Sequence, residues 1–162
     1  MENKSLVYLR EIDFTDLSYY KSKKYGISRA IYQYIGSTDE TIGTRTSKWC
    51  NKNISRNNKI GQLLRVLMKM YKFENIRQLN RYLVEHTRIL KEYDTIEQAK
   101  KLESTLITIN MCEDEKYEWI ICLNKRDAEV NIKEAKELIT SLENKYVISK
   151  LKEKLEKEAQ KN

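Results

Sequence analysis

At 162 residues, with 40% hydrophobic and 34% charged residues, the chain reads as one soluble globular domain with an added tail, not a disordered or fibrous protein. No run is long and apolar enough to span a membrane, and no signal peptide precedes the first strand-like segment, so a cytoplasmic setting is expected. A formal net charge of +7 favours polyanionic partners, because each cation set on a phosphate releases bound counterions.

The first apolar run, Leu6 to Ile12, predicts a strand. Residues 13–29 are polar, basic and tyrosine-rich, and read as a connection. Ala30 to Ile35 predicts a second strand, stopped by Gly36-Ser37-Thr38-Asp39. Residues 39–58 are polar and irregular, with a short helix expected around Ser47 to Cys50. Ile60, Leu63, Leu64, Leu67 and Tyr71 share one face, which predicts a helix from Lys59 to Tyr71. After a break at Phe73-Glu74-Asn75, Arg81 to Leu90 alternates and predicts a third strand, with His86 on its surface. Thr95 is an N-cap residue and Glu97 an acidic first-turn residue for a helix running to about Ile109. Tyr117 to Leu123 predicts a fourth strand. From Asn131 the chain is charged and helical, but its register shifts between Asn144 and Val147, which argues against one long coiled coil.

This order predicts an α+β fold with mixed α/β layers: a small, mainly antiparallel sheet flanked by helices, with a helical C-terminal tail. Residues 1–112 form the expected domain and 113–162 its extension, whose helices offer a route to a homodimer. Cys50, Cys112 and Cys122 lack the paired spacing of a zinc site and read as small semi-buried residues. His86 is the single histidine, which argues against Ser-His-Asp or HExxH chemistry.

The most informative residue is Glu103. On a helix from Ile96 to Asn110, the roughly 100° turn per residue gathers Ala99, Leu102, Leu106, Ile107 and Ile109 into one apolar stripe. Lys100, Lys101, Ser104, Thr105 and Thr108 take the other side. Glu103 falls inside the stripe, with Asn110 beside it. A carboxylate there costs several kcal/mol unless a cation, a metal or water at the stripe's edge compensates.

Tyr34-Ile35-Gly36-Ser37-Thr38 resembles the second half of the signature of GIY-YIG nucleases, and Leu6-Val7-Tyr8 resembles the first half, with Leu-Val in place of Gly-Ile. Arg45 follows at about the spacing of that family's arginine. Met68 to Ile76 resembles the end of its helix before the third strand. Arg88 to Ile107 resembles its third strand and glutamate helix. The resemblance covers about residues 5 to 110. The chain departs from the pattern in lacking the first glycine, in the long connection at residues 13–29, in an arginine about one residue late, and in offering two late asparagines, Asn110 and Asn124. Asn110, which shares the face of Glu103, is preferred.

The resemblance implies a metal-dependent DNA endonuclease. Glu103 would hold one divalent ion, Mg²⁺ or Mn²⁺, since Mg²⁺ suits a lone carboxylate completed by waters and phosphate oxygens. Arg45 would contact the scissile phosphate, and Tyr8 or Tyr34 would orient or deprotonate the water. A free phenol has a pKa near 10, so deprotonation needs nearby positive charge. Lys48, Lys52 and Arg56 read as a phosphate-tracking edge, and Lys21, Lys23, Lys24 and Arg29, mixed with tyrosines, as a second nucleic-acid contact. The rival readings are a non-cleaving nucleic-acid-binding or inhibitor protein on the same scaffold, and a protein-interaction module in which Glu103 forms a buried salt bridge.

Overall fold

A computed structural model of the chain describes residues 4–14, 24–25, 31–111 and 120–123, with the side chains at 108–111 and 120–122 left aside. A four-stranded sheet lies at its centre. β1 (Ser5–Asp13) pairs antiparallel with β2 (Ile31–Thr38) on one side and with β3 (Thr87–Tyr93) on the other. A three-residue β4 (Ile120–Cys122) adds parallel to Ile31–Gln33, giving the order β3-β1-β2-β4. The fold is α+β, as expected.

Both faces of β1 are covered, so Val7 and Tyr8, which point to opposite sides, are both fully buried. The face of Val7, Leu9 and Ile35 meets α4 (Ile96–Met111), whose Ala99, Leu102 and Leu106 are buried. Thr95 caps this helix, its hydroxyl accepting from Gln98 N at 3.3 Å while the Gln98 side-chain Oε1 accepts from Thr95 N at 3.2 Å. The face of Tyr8, Ile12 and Tyr32 is covered by α1 (Ile42–Asn53), α2 (Lys59–Met70) and α3 (Ile76–Glu85), through Trp49, Cys50, Leu63, Leu64, Leu67, Leu79 and Leu83. Thr41, Asn58 and Asn75 cap these three helices. Gly61 lets the first turn of α2 press onto the backbone at the end of α1. A Cβ there would lie 2.1 Å from Arg56 O and 2.7 Å from Asn53 O. Among the described residues no helix is long and apolar enough to cross a membrane.

The structure corrects three expectations. Residues 42–53 form a full helix where only a short one around Ser47 to Cys50 was expected in otherwise irregular chain. Its inward residues are Thr46, Trp49, Cys50 and Asn53, so half of its buried face is polar and the apolar period is faint. The Asn53 amide donates to Trp49 O at 2.8 Å, and Thr46 takes a bond from Arg10, which makes that polarity tolerable. Second, residues 81–85 belong to α3, not to a strand. Leu79 and Leu83, four apart, are both fully buried, and that helical spacing wins over the local alternation. His86 is therefore a helix-end residue, its Nδ1 2.7 Å from Tyr82 O. Third, Thr105 is buried rather than on the polar side of α4, because its hydroxyl donates to Lys101 O at 2.9 Å and frees its methyl group to face inward.

Candidate functional site

The antiparallel register sets Tyr8 opposite Gly36 and Arg10 opposite Tyr34. All four lie on the sheet face that α1 covers. Gly36 serves by having no side chain: a Cβ would meet Tyr8 Oη at 2.4 Å and Cζ at 2.5 Å. Its backbone is ordinary strand, so the requirement is for room and not for a left-handed turn. The Tyr8 and Tyr34 rings lie 6.4 Å apart, and Trp49 of α1 packs on Tyr34 at 5.0 Å.

The first turn of α1, started by the Thr41 cap, brings Arg45 to the same place. The Tyr8 hydroxyl and Arg45 Nε are both buried and neither makes a hydrogen bond of good geometry. They are nonetheless neighbours. Burial works against the Arg45 charge, but Tyr8, Tyr34 and Glu40 outweigh it, so Arg45 holds its proton more firmly than usual. Tyr34 is half-buried, and its pKa is pushed up, first by burial and then by Tyr8 and Glu103, against the opposing pull of Arg45 and Arg10. In this environment Tyr34 is a neutral phenol.

Glu103 arrives from the other side of the sheet. It is half-buried on α4, and the Ser37 hydroxyl donates to its carboxylate Oε2. Ser37 points toward α4 while Gly36, its neighbour, lies on the tyrosine face. Glu103 is within electrostatic reach of Tyr34. β4 pairs only with Ile31–Gln33, leaving residues 34–38 of β2 with no strand beside them on that edge among the described residues.

From Tyr34 a cleft of about 580 Å³ runs along α1 to the start of α2. Arg45, Lys48, Lys52, Arg56 and Lys59 line it, with no acidic residue among its lining. Lys48 is paired with Glu40 at the rim. The spacing of 45, 48 and 52 by three and four is that of one face of α1, and Arg56 follows in the bend after it.

The structure thus brings together Tyr8, Tyr34 and Arg45, lines Lys48, Lys52 and Arg56 along the same cleft as Tyr34 and Arg45, and sets Glu103 on the other face of the sheet, beside Ser37 and within electrostatic reach of Tyr34. It does not bring Lys24 to that cleft. That residue stacks with Tyr25 at 5.6 Å and lines a separate groove with Gln62, Arg65 and Lys69 of α2. Lys21, Lys23, Arg29, Asn124 and the tail from residue 131 lie outside the described residues. Asn110 falls within α4, two turns beyond Glu103, and its side chain is among those left aside.

The sequence reading missed Arg10, Trp49 and Lys59. Arg10 carried the same signal as Glu103: a charge in the inward series Tyr8, Arg10, Ile12 of a strand.

Among the described residues no group of three or more His, Cys, Asp or Glu gathers as a metal cage. A half-buried single carboxylate instead fits an ion that keeps most of its shell as water and phosphate oxygens, as Mg²⁺ does. No family model, curated protein or solved structure matches the chain.

Proposed function

We propose that the protein is a metal-dependent endonuclease that hydrolyses DNA phosphodiester bonds. The observation that carries this reading is that Tyr34 and Arg45 sit together at the head of a cleft lined by cations, with the Glu103 carboxylate within electrostatic reach of Tyr34 from the other face of the sheet. Arg45 offers a planar fork of donors to a tetrahedral phosphate. Tyr34 would orient the attacking water by hydrogen bonding. Tyr8 is too deeply buried to touch that water, and its part is to seat Tyr34 and Arg45. Glu103 would hold the divalent ion, Mg²⁺ or Mn²⁺, with Ser37 steering its carboxylate. Such an ion supplies Lewis-acid charge at the phosphate and lowers the pKa of a bound water. Lys48, Lys52 and Arg56 hold flanking phosphates.

The test is incubation of purified protein with supercoiled plasmid and short duplexes in Mg²⁺, Mn²⁺ or EDTA. Nicking or linearisation that requires the metal is expected, and intact DNA under all three conditions refutes the reading. A second reading, a nucleic-acid-binding protein that does not cut, draws on the cleft alone, whose cations suffice for phosphate binding. DNA retention without nicking selects it.

A further inference from the structure

Arg10 is 1% exposed, which makes it the largest fully buried side chain described. Its Nε donates to Thr87 Oγ1 at 3.1 Å and its Nη2 to Thr46 Oγ1 at 2.6 Å, while Nη1 has no partner. The guanidinium carbon lies 5.2 Å from the Tyr8 ring centre and 4.4 Å from that of Trp49. With Trp49 packed on Tyr34 and Tyr34 beside Tyr8, the four side chains close a ring of contacts. No carboxylate joins it among the described residues. The ionisable groups facing Arg10 are Tyr8, Cys50, Tyr34 and a second cation, Arg45.

As mere packing this is a poor solution. A buried guanidinium held by two hydroxyls and two ring faces loses its hydration without gaining a counter-charge, and an apolar side chain of similar volume fills such a space at least as well. A charge kept at such cost is expected where negative charge develops during a reaction. Its place, opposite Tyr34 in the β1–β2 register and stacked on Tyr8, is directly behind the candidate hydrolytic groups.

We propose that Arg10 is a positioning residue for cleavage: its buried cation clamps the Tyr8, Tyr34 and Trp49 rings in place and backs the Arg45 side of the site with fixed positive charge. The inference rests on the endonuclease reading above. Arg10 touches neither DNA nor metal, so its effect belongs in the rate of the bound complex and not in affinity.

The experiment compares parent, Arg10→Met and Arg10→Lys by thermal unfolding, by DNA affinity in EDTA and by single-turnover cleavage at saturating enzyme. Arg10→Met is expected to melt at or above the parental temperature, to bind within about twofold, and to cut at least roughly tenfold more slowly. Arg10→Lys, which restores the charge without the fork, is expected to regain part of that rate. Ring resonances of Tyr34 and Trp49 should shift in Arg10→Met while those of Tyr71 and Tyr82, in a separate aromatic cluster, stay in place. Parental saturating rates in Arg10→Met, or a loss confined to affinity, overturn the proposal. If Arg10→Met does not fold, Thr46→Val and Thr87→Val each remove one acceptor from the guanidinium and are expected to slow the bound step several-fold; unchanged rates in both overturn it. A parent that never cuts refutes the endonuclease reading itself and removes this one with it, an outcome distinct from a parent that cuts and an Arg10→Met protein that cuts equally well.

Discussion

The tightest contact in the site is the gap above Gly36, and filling it tests the geometry directly. In Gly36→Ala the new methyl would lie 2.4 Å from Tyr8 Oη and 2.5 Å from Cζ, about 1 Å inside ordinary contact. Neither side yields easily. Tyr8 is fully buried, flanked by Arg10 and Tyr34, and Gly36 is fixed by its register across β1. Overpacking of this kind costs about 1–3 kcal/mol. Without the ring, alanine in a strand would instead be favoured over glycine by roughly 0.5–1 kcal/mol, so the sign of the effect is informative. For a chain of this length the loss corresponds to a fall of roughly 3–10 °C in melting temperature. Differential scanning calorimetry of Gly36→Ala, Tyr8→Leu and the double variant measures it. The alanine should destabilise the parent. It should cost little or nothing once Tyr8→Leu has removed the ring, a coupling well outside the additivity of independent sites. An equal loss in both backgrounds would refute the claim that Gly36 exists to admit the Tyr8 ring.

Glu103→Gln should leave melting without metal unchanged or raised, since the Ser37 hydroxyl can still donate to the amide oxygen, while metal-dependent cleavage falls by orders of magnitude and DNA retention in a gel-shift persists; parental cleavage by this variant would sink the assignment. Tyr8→Phe removes the buried hydroxyl beside Arg45 that helps hold its charge, so single-turnover cleavage should slow, and a parental rate would refute that role for Tyr8. Lys52→Gln with Arg56→Gln should weaken DNA binding and flatten its dependence on log salt concentration by about two units, whereas Lys24→Gln, in the other groove, should leave the slope alone. Burial pushes the Cys50 thiol up to about 12, so mass mapping should find it unalkylated by iodoacetamide at about pH 8 until the protein unfolds. The same shift means the folded state holds that proton more tightly than the unfolded one. Its contribution to stability is therefore complete below the ordinary thiol value near 9 and fades as pH climbs toward 12.

Local periodicity in the sequence was enough to define the first two strands, the helix from Lys59, the capped helix from Thr95 and hence the α+β class. Each of these elements buries a face of ordinary apolar residues, so its own spacing names the buried side. The three-four spacing of Arg45, Lys48 and Lys52 was equally legible once residues 42–53 were known to be helical. Where the inward residues are themselves polar, the sequence was silent or misleading. Thr46 and Asn53 weakened the signal of α1, and the alternation of Tyr82, Val84 and His86 imitated a strand inside α3.

Only the tertiary structure decided what the buried polar groups meet. Arg10 finds Thr46 and Thr87, 36 and 77 residues away, and Glu103 finds Ser37, 66 residues away. A charge in an apolar series announces from the sequence that some compensation exists, because burying it bare costs too much. Which side chain compensates, and which face of the sheet it comes from, depends on the pairing of β1 with β2 and β3. Those are long-range choices with no local periodicity, and they are what set Tyr8, Tyr34 and Arg45 together on one face of the sheet and Glu103 beside Ser37 on the other.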